Sequence, residues 1–186
     1  MCGIAGFWTL TGNREESVLS HVARRMGEAV AHRGPDGDGI WTDSAQGIAF
    51  AHRRLAIIDL KATGHQPMVS ASGRYVISFN GEIYNFPELR VRLEARGVRF
   101  RGTSDTEVLL SLIEHDGLER ALVQANGMFA FALWDRQDHS LSLARDRYGQ
   151  KPRYYAWLRG GIVFGSELSA IRAHPDFKAE IDPDAV

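Results

Sequence analysis

The 186 residues carry 24% charged and 44% hydrophobic side chains and a formal net charge of −1, the balance of one soluble domain with a substantial core. That balance lacks the basic excess of a nucleic-acid or anionic-membrane binder, and no apolar run reaches transmembrane length, so neither nucleic acid nor membrane is an expected partner. A single cysteine, Cys2, excludes an internal disulfide framework; with no basic stretch and apolar core at the start to serve as a secretory signal, the expected location is cytoplasmic.

In chain order, "CGIAGFW" is a short apolar run that predicts a buried strand. Val18, Leu19, Val22, Met26, Ala29 and Val30 then recur at helical spacing and predict an amphipathic helix. "HRGPDGDG" reads as turn chemistry, and "GIAFAHRRLAII" and "RYVISF" as strands. A helix is expected from about Pro87 to near Gly97. "SDTE" at 104–107 is a capping box, with Ser104 as N-cap and Glu107 reaching back, and Val108, Leu109, Leu112 and Ile113 form the apolar stripe of the helix it opens. "MFAFALWD", "HSLSLARD", "RYYAWL" and "GIVFGS" predict four more strands, and a last short helix falls between Ser166 and Pro175.

Strands joined by two to five polar residues form antiparallel hairpins, and the two central helices come in series rather than alternating with strands. The predicted class is therefore α+β with mainly antiparallel sheet. Both alternating faces of "MFAFALW" are apolar, so that strand is covered on both sides, either between two stacked sheets or within a single buried one.

Several chemistries lack their signatures. The seven histidines are scattered without zinc-site pairing, and "DGDG" at 36–39 starts like a calcium loop but places Ile40 where an oxygen ligand belongs, so no metal site is expected. There is no phosphate-binding G-x-x-x-x-G-K-[ST] loop and no G-x-S-x-G nucleophile elbow.

What stands out is the position of Cys2. A lone cysteine is ordinarily a small buried hydrophobe. Behind an initiator methionine, however, it becomes N-terminal once Met1 is removed, and then one residue carries a thiol and an α-amine of pKa about 7.7–8.0, a nucleophile and a base without a histidine. The other candidates are each ambiguous alone. Asn80-Gly81 in "FNGEIYN" is a strong hairpin signal, or a side-chain amide and a backbone N–H converging on an oxyanion. Glu82 follows and could receive a cation; Asp105 either favours a helix dipole or does the same; Arg54 in "AHRRLAI" is a solvated strand end or a fork for a carboxylate.

Taken in order, "CGIAGF", "HRGPDGDG", "AHRRLAIIDL", "GHQPM", "NGEIYN", "SDTE", "NGMFAFALWD" and "RDRYGQKP" closely resemble the type 2 glutamine amidotransferase domain of glutamine-hydrolysing asparagine synthetases. The resemblance runs over residues 1–174, and 175–186 are similar to the start of that family's linker to an ATP-dependent synthetase domain. It implies an N-terminal-nucleophile hydrolase sandwich of helix, sheet, sheet and helix layers, and hydrolysis of L-glutamine to glutamate and ammonia. It implies Cys2 as nucleophile, Asn80 and Gly81 as oxyanion hole, Arg54 on the glutamine α-carboxylate, and Glu82 and Asp105 on its ammonium. It implies no cofactor in this domain, with ATP and magnesium used only in the C-terminal synthetase domain of the same protein, and it leaves room for a homodimer. Arg153 in "KPRYY" departs from the family's apolar residue and bears on the acceptor of the ammonia. A non-catalytic glutamine sensor or scaffold stays open as the rival reading, and would gain if Met1 were retained.

Overall fold

The computed structural model describes residues 1–10 and 14–179, so part of the expected linker (180–186) lies outside the described residues. The first half contains β1 (Gly3–Thr9), α1 (Glu16–Glu28), β2 (Gly37–Asp43), β3 (Ile48–Arg54), β4 (Met68–Val69) and β5 (Tyr75–Ile83). Three helices follow in series, α2 (Phe86–Glu94), α3 (Asp105–Asp116) and α4 (Leu118–Gln124). The rest is β6 (Gly127–Asp135), β7 (Ser140–Arg145), β8 (Tyr154–Leu158), β9 (Gly161–Gly165) and α5 (Leu168–Arg172).

Every strand pairing is antiparallel, and two sheets result, one ordered β2-β3-β1-β9-β8 and the other β4-β5-β6-β7. Three apolar clusters set the layering. Leu19, Ala23 and Met26 of α1 and Ile171 of α5 pack on Ala5, Phe7, Ala49 and Val163 of the first sheet. Leu89, Val108, Leu109 and Leu112 of the central helices pack on Ile77, Phe79, Phe129 and Phe131 of the second. Between the sheets lie Ile48, Phe50, Val76, Ala132, Trp134 and Phe164, with Trp8 edge-on to Trp134 at 5.2 Å between ring centroids. The order is helix, sheet, sheet, helix. β6 shows why: Phe129, Phe131 and Leu133 enter the helical core while Ala132 and Trp134 enter the inter-sheet core, so both faces of the strand must be apolar.

Several local expectations need correction. The Asn80-Gly81 pair is not a turn: β5 runs on through it to Ile83, with Gly81 opposite Phe129 in register. The second half of "HRGPDGDG" is strand, because β2 starts at Gly37 and pairs along β3. β3 stops at Arg54, and residues 55–58 leave the sheet. Ser104 caps α3 by accepting from the Glu107 N–H at 3.2 Å, but Glu107 does not reach back to it. Its carboxylate instead accepts from the N–H groups of Arg101 and Gly102, closing the loop before the helix. The central helices number three, since α4 follows α3 directly.

Candidate active site

The site opens between the two sheets at one end. Cys2 immediately precedes β1, and its neighbourhood is set by "HRGPDG". Arg33 Nε donates to the Cys2 carbonyl at 3.0 Å, and the same guanidinium holds Glu167 at 2.8 Å. Gly34 lies so close to β3 that a Cβ there would meet the Arg53 carbonyl carbon at 2.4 Å. The Asp36 N–H donates to the Arg54 carbonyl at 2.9 Å, and the Asp36 carboxylate accepts from the Ala56 N–H at 2.9 Å. This motif is thus a clamp that joins the Cys2 backbone to the exit of β3. On the other side of β1, Ser166 exchanges hydrogen bonds with Ile4, 3.0 Å to its Oγ and 2.8 Å from its N–H. The Cys2 sulfur accepts from the Leu55 N–H at 3.4 Å. Burial pushes the thiol up, opposed by that backbone contact, by the positive N-terminus and by Arg54. A base is therefore required to ionise it.

β5 supplies the opposite wall. Its even-numbered side chains share the inter-sheet face of Val76, which puts Asn80 and Glu82 toward Cys2. Its odd-numbered N–H groups point away from β6. The Phe79 N–H is taken by Gln66 Oε1 at 2.6 Å and the Ile83 N–H by Asp105 Oδ2 at 2.9 Å. The Gly81 N–H lies between them on the same edge, with no strand alongside, because β4 pairs only as far as Ile77. Beside it the Asn80 Nδ2 is buried with no hydrogen-bond partner among the described residues. Gly81 admits no side chain, since a Cβ would stand 2.4 Å from the Met128 carbonyl oxygen. Two donors on adjacent residues are left unused at one edge, and a buried amide left unpaired has a cost of about 1–3 kcal/mol.

His52 of β3 ties the two walls together. It is fully buried, and its Nε2 lies 3.0 Å from the Phe79 carbonyl; since that oxygen only accepts, Nε2 carries the hydrogen. Burial holds its pKa at about 4, against the opposing pull of the Phe79 contact. The unfolded chain takes up this proton near pH 6.5 and the folded chain only near 4, so the stability from the neutral ring is complete above 6.5 and is lost as pH falls toward 4. Denaturant unfolding should show about 3 kcal/mol of acid-dependent loss from this group between pH 7 and 4, and that part should vanish in His52→Gln. Equal acid sensitivity in both proteins would contradict the assignment.

Cys2, Arg54, Asn80, Gly81, Glu82 and Asp105 all line one cavity of about 210 Å³. All six residues singled out in the sequence therefore meet. Arg54 follows from the pairing of Gly3 with Arg53, which sets the next residue beside Cys2. Its guanidinium donates to the carbonyls of Asp59 and Lys61, which fixes the fork while leaving other N–H groups for a ligand. Asp105 sits in the first turn of α3 and accepts from the N–H groups of Ile83 and Thr106. Burial raises its pKa, those bonds oppose this, and the charge of Glu82 raises it further. Two neighbouring carboxylates in a closed space favour a cation between them.

The sequence did not single out Asp59, Gln66 and Lys151, which line the same cavity. Asp59 is buried; burial alone would raise its pKa, but hydrogen bonds from the Thr103 and Lys61 N–H groups and the Thr63 hydroxyl hold it low. It shapes the loop that holds Arg54. Gln66 and Lys151 stand inside "GHQPM" and "RDRYGQKP", motifs whose roles are invisible until the chain folds. No group of three or more potential metal ligands occurs among the described residues. No helix among them is long and apolar enough to cross a membrane.

Comparison with known proteins carries the same pattern across the whole chain. The family model described as "Glutamine amidotransferase domain" matches residues 1–186. The chain is 42% identical over 185 residues to glutamine-hydrolysing asparagine synthetase 3 of Bacillus subtilis, covering 98% of this chain and 29% of that protein. It is 40% identical to synthetase 1 of the same organism, covering all of this chain and 29% of that one. The chain thus spans less than a third of the length of these relatives. In three dimensions it is similar to the glutamine phosphoribosylpyrophosphate amidotransferase of B. subtilis, with a TM-score of 0.75 at 23% identity over 92% of this chain and 43% of that one. That likeness gives the fold, an αββα sandwich. Sequence and architecture agree that the chain belongs to the glutamine amidotransferase domain family, in company with the glutamine-hydrolysing asparagine synthetases.

Proposed function

We propose that the domain hydrolyses free L-glutamine to glutamate and ammonia, with Cys2 as nucleophile after removal of Met1. The observation that carries this reading is the buried, unpartnered Asn80 Nδ2 beside the Gly81 N–H, in a cavity shared with the only thiol of the chain. The Cys2 amine accepts the thiol proton as Sγ attacks the side-chain amide carbon. Asn80 and Gly81 hold the oxyanion that forms. The amine then gives its proton to the departing nitrogen, which leaves as ammonia and a thioester on Sγ. Water attacks the thioester, the amine takes the water proton and returns it to the sulfur, and glutamate is released. Arg54 holds the α-carboxylate, and Glu82 with Asp105 the α-ammonium. A glutamine residue within a protein chain has neither charge to offer, so charged contacts of about 1.5–3 kcal/mol each select the free amino acid.

The released ammonia passes to an ATP-dependent synthetase domain of the same protein, to which residues 175–186 lead. The named relatives support asparagine as the product. ATP and magnesium act in that second domain, the amidotransferase half needs no cofactor, and the location is the cytoplasm. Ammonia release from glutamine by the purified protein tests the glutaminase reading. Arg54→Ala should raise KM roughly ten- to a hundredfold with a smaller change in kcat. An unchanged KM would place the carboxylate elsewhere.

A further inference from the structure

The loop after β7 is held more firmly than a connection needs. The buried Asp146 accepts from the N–H groups of Phe129, Tyr148, Gln150 and Lys151 at 3.0–3.2 Å. Arg145 Nε donates to the Lys151 carbonyl at 2.6 Å, and its terminal nitrogen to the Gly149 carbonyl. Gly149 turns the chain with a φ of +63°, a backbone that favours glycine. All of this presents one side chain, Lys151, to the cavity that holds Cys2. Lys151 is 7% exposed, and it makes no ion pair among the described residues. Among the described residues, the one hydrogen-bond partner of its ammonium is the Met1 sulfur at 3.3 Å. A thioether is a weak acceptor and a poor partner for a buried charge.

We propose that Lys151 is the cation that faces the Cys2 terminus once Met1 is removed, keeping the new α-amine neutral and favouring the thiolate. The proposal rests on the glutaminase reading, and it makes Lys151 a positioning residue that acts through Cys2. Loss of Met1 takes away the sulfur that the ammonium contacts and leaves Lys151 in the cavity that Cys2 also lines. Of the other charges around Cys2, Arg33 is tied to Glu167 and the Asp59 carboxylate to the Thr103 and Lys61 N–H groups and the Thr63 hydroxyl. Arg54, held by the carbonyls of Asp59 and Lys61, keeps its charge and also favours the thiolate, so Lys151 adds to it. Glu82 and Asp105 face the same cavity, and before substrate binds they favour protonation of both amine and thiol. A nearby ammonium opposes them on both groups, because it disfavours a second cation and stabilises an anion.

The effects on amine and thiol have the same sign, which makes the test directional. The pH dependence of kcat/KM for ammonia release, and of Cys2 alkylation by iodoacetamide, should be compared in the wild type, Lys151→Met and Lys151→Arg, each with Met1 loss verified by mass. In Lys151→Met the acid limb of both profiles should move up by about one pH unit, roughly tenfold in rate on that limb. Lys151→Arg, which keeps the charge, should restore the limb. If methionine at this position prevents folding, Lys151→Gln provides the neutral variant. Neutral-variant profiles that overlay the wild type, or that fall equally at every pH, would overturn the proposal, as would an arginine variant that shifts as far as the methionine one. A wild type that releases no ammonia would remove the glutaminase reading, while the alkylation profiles would still decide the role of Lys151.

Discussion

Cys2→Ala is expected to lower ammonia release from glutamine by at least about 10⁴-fold, with the fold intact. The size of the loss follows from the chemistry. No other thiol exists in the chain, and no serine elbow replaces it. The retained stability follows from position. Cys2 precedes β1, is only partly buried, and its sulfur makes two weak contacts, accepting from the Leu55 N–H at 3.4 Å and donating to the Leu55 carbonyl at 3.6 Å. Its carbonyl, which Arg33 grips, is unaffected by the substitution. The melting temperature should therefore change little, and glutamine should still protect the variant against heat, because Arg54, Glu82 and Asp105 remain. A fully active Cys2→Ala protein would end the account.

Asn80→Ala should have the second largest effect, a fall in kcat of about 10²–10³ with KM nearly constant. The amide has no partner among the described residues, and in the proposed mechanism its donor meets charge that develops during the reaction. The same observation predicts a small effect on stability, since no hydrogen bond is broken. Asn80→Asp should be worse for rate than alanine, because it sets a carboxylate where an oxyanion must form. Loss of kcat and KM in equal measure, or a collapse in melting temperature, would make Asn80 a packing residue instead.

The site was legible in the sequence to the extent that its residues lie in runs with local meaning. Ser104 could be named as a cap because a cap contacts a residue three positions on. The partner of Glu107 could not, because the loop N–H groups of Arg101 and Gly102 reach it only after the loop has closed. Asn80-Gly81 carries the local preference of a turn, but pairing with Phe129 and Ala130 of β6 overrides it. β2 was hidden for the same reason: its glycines read as turn until β3 lies alongside. α4 spans seven residues, too short for a periodic signal to separate it from α3. Lys151 meets the N-terminus across 150 positions of chain, a contact that no local pattern encodes.

Incubation of the purified protein with a chloroketone analogue of glutamine, followed by intact mass and peptide mapping, tests the central claim most directly. The prediction is a chain that starts at Cys2 and carries one adduct on that sulfur, formed at a rate that excess glutamine suppresses. A protein that retains Met1 and still releases ammonia from glutamine would contradict it, as would an adduct on any other residue.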